Sequence, residues 1–145
     1  MLVRCLYASR AADAAADGVL DVILKQSRKN NPKRGITGML CFSNGVFVQV
    51  IEGGRSEVSS LLTQIFADPR NTGIEILLYE EISERRFGNW TMGQVNIATV
   101  NPAVLLKYSA RASLDPFATP GAATMALLLE IADSGAIAQR KPDKA

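Results

Sequence analysis

The chain has 145 residues, the length of one domain, and it carries no histidine, which removes Ser-His-Asp and Cys-His catalysis, histidine-liganded zinc or iron, and the commonest general base. Its two cysteines are too few for a four-thiolate zinc site, so any chemistry is expected to belong to a bound cofactor. Lys and Arg number 16 against 14 Asp and Glu, so bulk charge argues for no nucleic acid, and no apolar run reaches the length of a membrane span or of a signal-peptide core.

Leu2 to Ser9 reads as a strand, with Val3, Cys5 and Tyr7 on one face and Leu2, Arg4, Leu6 and Ala8 on the other. Cys5 and Cys41 both lie in apolar strand-like stretches and are expected to be reduced core residues of a cytoplasmic protein. Arg10 to Gly18 is Ala-rich. Asp17 is placed to cap a helix running to about Lys29, with Val19, Ile23 and Gln26 on one stripe and Leu20, Leu24 and Ser27 on the next. Pro32 is expected to end that helix, because the residue before a proline avoids the α region. Asn30 and Asn31 then sit at the helix exit, where two amides serve equally as carbonyl caps, and Arg28, Lys29, Lys33 and Arg34 read as a solvated basic surface.

The stretch from Gly35 to Glu52 organises the rest. Asn44-Gly45 predicts a two-residue hairpin turn with both central residues at φ > 0. Val46 to Ile51 is apolar on both faces, the mark of a central strand covered on both sides, and Gln49 interrupts it. A buried carboxamide costs a few kcal/mol unless its donors and acceptor find partners, so a polar group is expected against Gln49.

Gly53-Gly54 reads as a turn. Ser56 is placed to cap a second helix to about Ala67, with Val58, Leu61, Leu62, Ile65 and Phe66 inward. Asp68 to Asn71 is its exit loop, Ile74 to Ile82 a fourth strand, and Arg85 to Asn89 a polar turn. Trp90 to Ile97 reads as a fifth strand, which would put Trp90 and Met92 on one face. Pro102 to Ala110 and Ala122 to Ala132 read as helices, and Gln139 to Ala145 as a frayed tail.

The order β-α-β-β-α-β plus a further strand predicts an α+β, ferredoxin-like arrangement. Both helices then lie on one face of the sheet, the first and third strands are central neighbours, and Tyr7 and Gln49 are adjacent beneath the helices. Residues 1–97 form the expected domain. Residues 98–145 are too short to fold alone and are expected to cover the sheet's other face or another subunit.

Residues 1–97 resemble the BLUF family of blue-light sensors. The resemblance rests on motifs in order: Leu6-Tyr7-Ala8-Ser9; Asn30-Asn31-Pro32 leading into Gly35-Ile36-Thr37-Gly38-Met39-Leu40; Phe47-Val48-Gln49-Val50-Ile51-Glu52-Gly53; Asp68-Pro69-Arg70; and Phe87-Gly88-Asn89-Trp90-Thr91-Met92. It implies bound FAD, or FMN or riboflavin, with the ring between the two helices. By that likeness Ile23 and Ile65 sandwich the ring, Asn31 holds its C4 carbonyl and N3 edge, Asn30 reaches the C2 side, and Ser27 lies one helical turn earlier. Asp68 and Arg70 match positions near the ribityl and phosphate end. Gln64 stands where some members have a basic residue and Asn71 where many have histidine. Tyr7, Gln49, Trp90 and Met92 match the photoactive positions, with Trp90 and Met92 competing for the place beside the glutamine.

The resemblance further implies a sensor rather than an enzyme. It is expected to be homodimeric at rest and to signal to a partner protein by contact. Two rivals fit the same fold: a colourless ligand-binding or dimerising regulatory module, and an acylphosphatase-like enzyme using Arg10, for which Ala11 to Ala16 makes a poor phosphate loop.

Overall fold

The computed structural model describes residues 1–12 and 18–134. Its strands are β1 (Leu2–Ala11), β2 (Thr37–Ser43), β3 (Val46–Gly54), β4 (Asn71–Ile82) and β5 (Gly93–Val95). Its α-helices are α1 (Val19–Arg34), α2 (Arg55–Ala67), α3 (Pro102–Tyr108) and α4 (Gly121–Ser134), and a 3-10 turn spans Ile97–Thr99. One sheet runs β4-β1-β3-β2-β5. β5 joins β2 in parallel, and every other pairing is antiparallel. This is the α+β, ferredoxin-like arrangement with a fifth strand added beside β2.

The β2–β3 hairpin turns on Asn44 at φ 51 and Gly45 at φ 77, the left-handed pair that a type I′ turn demands. Its register sets Leu40 opposite Gln49 and Phe42 opposite Phe47. Alternation along the strands divides the core in two. Val3, Cys5, Tyr7, Phe47 and Ile51 face α1 and α2, with Leu24, Val58 and Leu62. Leu6, Ala8, Cys41, Val48 and Val50 face the other way and are covered by Leu105 of α3 and Met125, Leu127, Leu128 and Ile131 of α4. Cys5 and Cys41 therefore lie on opposite faces, both as buried free thiols.

Several boundaries differ from the sequence reading. α1 does not stop before Pro32 but runs through it to Arg34. Pro32 gives up its own N–H and crowds the carbonyl one turn back, yet the helix continues past it, and Gly35, in the left-handed conformation at φ 65, closes it by donating to the carbonyls of Asn31 and Pro32. Asp17 lies outside the described residues, as do most of the Ala-rich stretch and the Gln139–Ala145 tail, and the N-cap position is Gly18. Gly53 and Gly54 do not form a turn. They end β3, and α2 begins at once at Arg55, so Ser56 lies within the first turn and caps nothing. β4 starts at Asn71, inside the predicted loop.

The fifth strand is shorter than expected, Gly93–Val95 in place of Trp90–Ile97. Residues 90–92 are not in regular strand, so the period of two does not govern them. Trp90 packs with the α3–α4 core, and Met92 packs with the α1–α2 core. The cause is how the preceding segment is tied. Trp90's carbonyl accepts the Gly38 N–H at 3.0 Å, before ladder pairing starts at Met39 and Gly93. Gly38 is required there, since a Cβ would run into the Val50 carbonyl oxygen across the hairpin.

Glu52, fully buried, anchors the same segment. Its carboxylate accepts the backbone N–H of Arg86 at 3.1 Å and of Phe87 at 2.7 Å. Arg4 of β1 neutralises it, donating Nε at 2.8 Å, and reaches Glu80 of β4 with Nη1 at 2.8 Å. Arg85 adds bonds from its guanidinium to Thr37 Oγ1 at 2.8 Å and the Gly35 carbonyl at 2.7 Å. Removing one member of a buried ion pair leaves the other charge uncompensated. Glu52→Ala is therefore expected to lower stability by about 3 to 5 kcal/mol in urea unfolding, and Arg4→Met with Glu52→Leu to recover only part of that loss, because the Arg86 and Phe87 N–H groups stay unpaired.

Candidate functional site

A cavity of about 170 Å³ opens between α1 and α2 over the sheet. β1 contributes Tyr7 and Ser9 to its floor, β2 Leu40, and β3 Phe47 and Gln49. α1 contributes one wall, Ile23, Gln26, Ser27, Asn30, Asn31 and Arg34, and α2 the other, Leu61, Gln64 and Ile65; Asp68, Arg70 and Asn71 close one end. The wall residues of α1 recur at intervals of three and four, one face of a helix.

Tyr7 and Gln49 are direct cross-strand partners in the β1–β3 ladder. The phenol hydroxyl donates to Gln49 Oε1, and Gln49 Nε2 donates to Met92 Sδ at 3.3 Å. A thioether is a weak acceptor, so the amide's nitrogen end is held loosely and its oxygen end well. Burial above all, then the fields of Cys5 and Asp68, push the Tyr7 phenol well above its usual range, so it is a neutral donor throughout the physiological span.

α1 holds the segment carrying Met92. Asn31 Nδ2 donates to the Thr91 carbonyl at 3.2 Å and Arg28 Nε to the Met92 carbonyl at 3.2 Å. Asn31 is thus buried at the cavity's edge rather than capping the helix. At the far end, Asp68 accepts Arg70 Nε at 2.9 and 3.0 Å and the Arg70 backbone N–H at 2.9 Å. These bonds, chiefly the side-chain one, hold the Asp68 carboxyl below the usual carboxylate range. Asn71 donates Nδ2 to the Asp68 and Ile65 carbonyls.

Tyr7, Ile23, Ser27, Asn30, Asn31, Gln49, Ile65, Asp68 and Arg70, all singled out from the sequence, surround this one cavity. Met92 stands behind Gln49 rather than in the lining. Trp90 is not brought to the cavity: it packs against Phe87, ring centroids 6.4 Å apart, on the sheet's other face. Among residues the sequence reading did not single out, Ser9 shows itself by its place two residues beyond Tyr7 on the same strand face. Arg34 was hidden by the expectation that α1 ends at Pro32. On the helix as it stands, Arg34 continues the Ser27–Asn30 stripe by one more turn.

The lining fits a planar heteroaromatic ring. Aliphatic side chains face each other from the two helices, and amides stand at the edges. The buried Ser9 Oγ, 1% exposed as a residue, and the Asn71 Oδ1 both lack a partner. A flavin offers apolar faces to the first set and N–H and C=O groups to the second.

Comparison with known proteins agrees. The model of the family BLUF, "Sensors of blue-light using FAD", matches residues 2–93, and the chain belongs to that family. It carries a flavin-based blue-light-sensing domain. The chain is 30% identical over 92 residues to the photoactivated adenylate cyclase subunit beta-like protein FB of Euglena gracilis, covering 63% of this chain but only 11% of that protein. Among solved structures, BlsA in its photo-activated state superposes with a TM-score of 0.78 at 28% identity, covering 90% of this chain and 94% of that one. The dark-state structure of BlrB, a BLUF protein, superposes with a TM-score of 0.74 at 33% identity, covering 89% and 92%. Among the described residues, no helix is long and apolar enough to cross a membrane.

Because the folded Asp68 carboxyl is depressed, its pairing with Arg70 stabilises the fold above the ordinary carboxylate pKa of about 4 and is lost as pH falls through the lower folded value. Both side chains are partly exposed, so the effect is expected to be at most about 1 kcal/mol. The Tm difference between wild type and Asp68→Asn should accordingly shrink as pH is lowered from about 6 to 3.

Proposed function

We propose that this protein senses blue light through a photocycle without net chemistry, run by Tyr7 and Gln49 against a bound flavin, and passes the result to a partner protein. The observation that carries this reading is the Tyr7–Gln49 hydrogen bond on the floor of the cavity. A bound flavin, FAD in the first instance with FMN as the alternative, supplies the chromophore and, once excited, a strong one-electron oxidant. Ile23 and Ile65 would hold the ring faces, Asn31 and Asn30 its pyrimidine edge with Ser27 beside them, and Asp68 and Arg70 would lie toward the ribityl chain.

Tyr7 would be the electron donor to an excited flavin, and its hydroxyl proton would have a ready path, since it already points at Gln49 Oε1. Return of the electron and proton to Tyr7 would leave nothing consumed. What persists is a new hydrogen-bond pattern at the Gln49 amide. Its nitrogen end is the easier to release, being held only by a sulfur. With a flavin bound, a stronger bond from that amide to a ring carbonyl would lower the excitation energy and shift absorption to the red.

The route outward starts at Met92. The segment it sits on leads to Trp90 on the opposite face and so to α3 and α4. We read residues 98–145 as the part that meets a partner or a second copy, in a cytoplasmic homodimer with no role for nucleic acid or membrane.

Tyr7→Phe should yield a yellow protein whose spectrum does not shift to the red under blue light, and Gln49→Leu the same, by absorption spectroscopy before and after illumination. A normal photocycle in either variant excludes the scheme.

A further inference from the structure

Two cations line the cavity, Arg34 from the last turn of α1 and Arg70 beyond α2, and their charges are not equally available. Arg70 is matched by Asp68, which takes its Nε at 2.9 Å and lines the same cavity, so that end presents a neutral pair. Arg34 is half-buried, and no carboxylate among the described residues pairs with it. Its Nη1 instead donates to Gln64 Oε1 on α2 at 3.2 Å. A bond to a neutral amide orients the guanidinium between the two helices without spending its charge, and leaves most of its five donors free. The neighbouring Lys29 and Lys33 do not line the cavity.

The three common flavins share one ring and differ in the tail. Riboflavin ends in a neutral hydroxyl, FMN in a phosphate monoester of charge near −2, and FAD in a charged diphosphate. A guanidinium without a carboxylate partner beside the ring site discriminates among them, because its planar fork pairs with two phosphate oxygens and gains much less from a single neutral hydroxyl. Resting on the flavin reading above, we propose that Arg34 is the cation that receives the flavin phosphate, so that the site selects flavin nucleotides over riboflavin.

The test compares the affinities of riboflavin, FMN and FAD for the full-length chain stripped of flavin, read by quenching of flavin fluorescence. Wild type should bind FMN and FAD at least about tenfold tighter than riboflavin, the size expected for a charge-assisted hydrogen bond. That advantage should shrink as salt is raised. Arg34→Gln should bring the ratio close to one by weakening the nucleotides alone, and Arg34→Lys should restore part of it. Lys33→Gln should leave the ratio as in wild type.

A ratio unchanged by Arg34→Gln overturns the proposal. So does an equal loss for all three flavins, which would mean that Arg34 acts only by bracing Gln64, or an equal effect from Lys33→Gln, which would mean bulk charge. Failure of the wild type to bind any of the three flavins would instead defeat the flavin reading itself, and this assignment with it.

Discussion

The structure depends on one buried carboxamide. Gln49 lies in a strand that is otherwise apolar on both faces, at the centre of the sheet and 4% exposed. An amide there is tolerated only with its polar ends engaged. Tyr7 comes to it by strand register alone, since the two residues are opposite one another in the antiparallel β1–β3 ladder. Met92 comes to it from a segment that has to be held in place by other means. The remaining approach is the cavity. A side chain that is costly to bury is thus kept at a point where it has one strong partner, one weak partner and one open side.

Much of the rest of the molecule maintains that arrangement. Glu52, three residues along β3 and on its opposite face, grips the backbone at Arg86 and Phe87. From the cavity side, Asn31 and Arg28 of α1 hold two successive carbonyls, those of Thr91 and Met92. The segment between β4 and β5 is therefore fastened on both faces of the sheet. It carries Trp90 into one core and Met92 into the other. The Gln49 side chain is one contact away from a backbone that spans the sheet.

The elements were legible because each is governed by local rules. Alternating apolar residues marked the strands, Asn44-Gly45 marked the hairpin, and period-3.6 stripes marked α1 and α2. The cavity residues singled out from the sequence were legible because their motifs resemble a known family, and the fold then gathers them from β1, α1, β3, α2 and the loop after α2. Local rules misled where tertiary contacts outweighed them. Pro32 reads as a helix stop, yet Gly35 supplies the closing hydrogen bonds one turn later and α1 carries Arg34 to the cavity. Trp90 and Met92 look like residues on one strand face, yet bonds from Gly38, Asn31 and Arg28 hold that backbone out of the ladder and turn the two side chains apart.

By itself the sequence determined the α+β element order, the tight hairpin and the conflict posed by an amide in an apolar strand, since these follow from side-chain period, turn chemistry and the cost of burying polar groups. The tertiary structure alone decided which large side chain stands beside Gln49 and which arginine at the cavity has an amide rather than a carboxylate for its partner. Both depend on hydrogen bonds between residues 30 to 64 positions apart, and no periodicity within a single segment encodes bonds of that span.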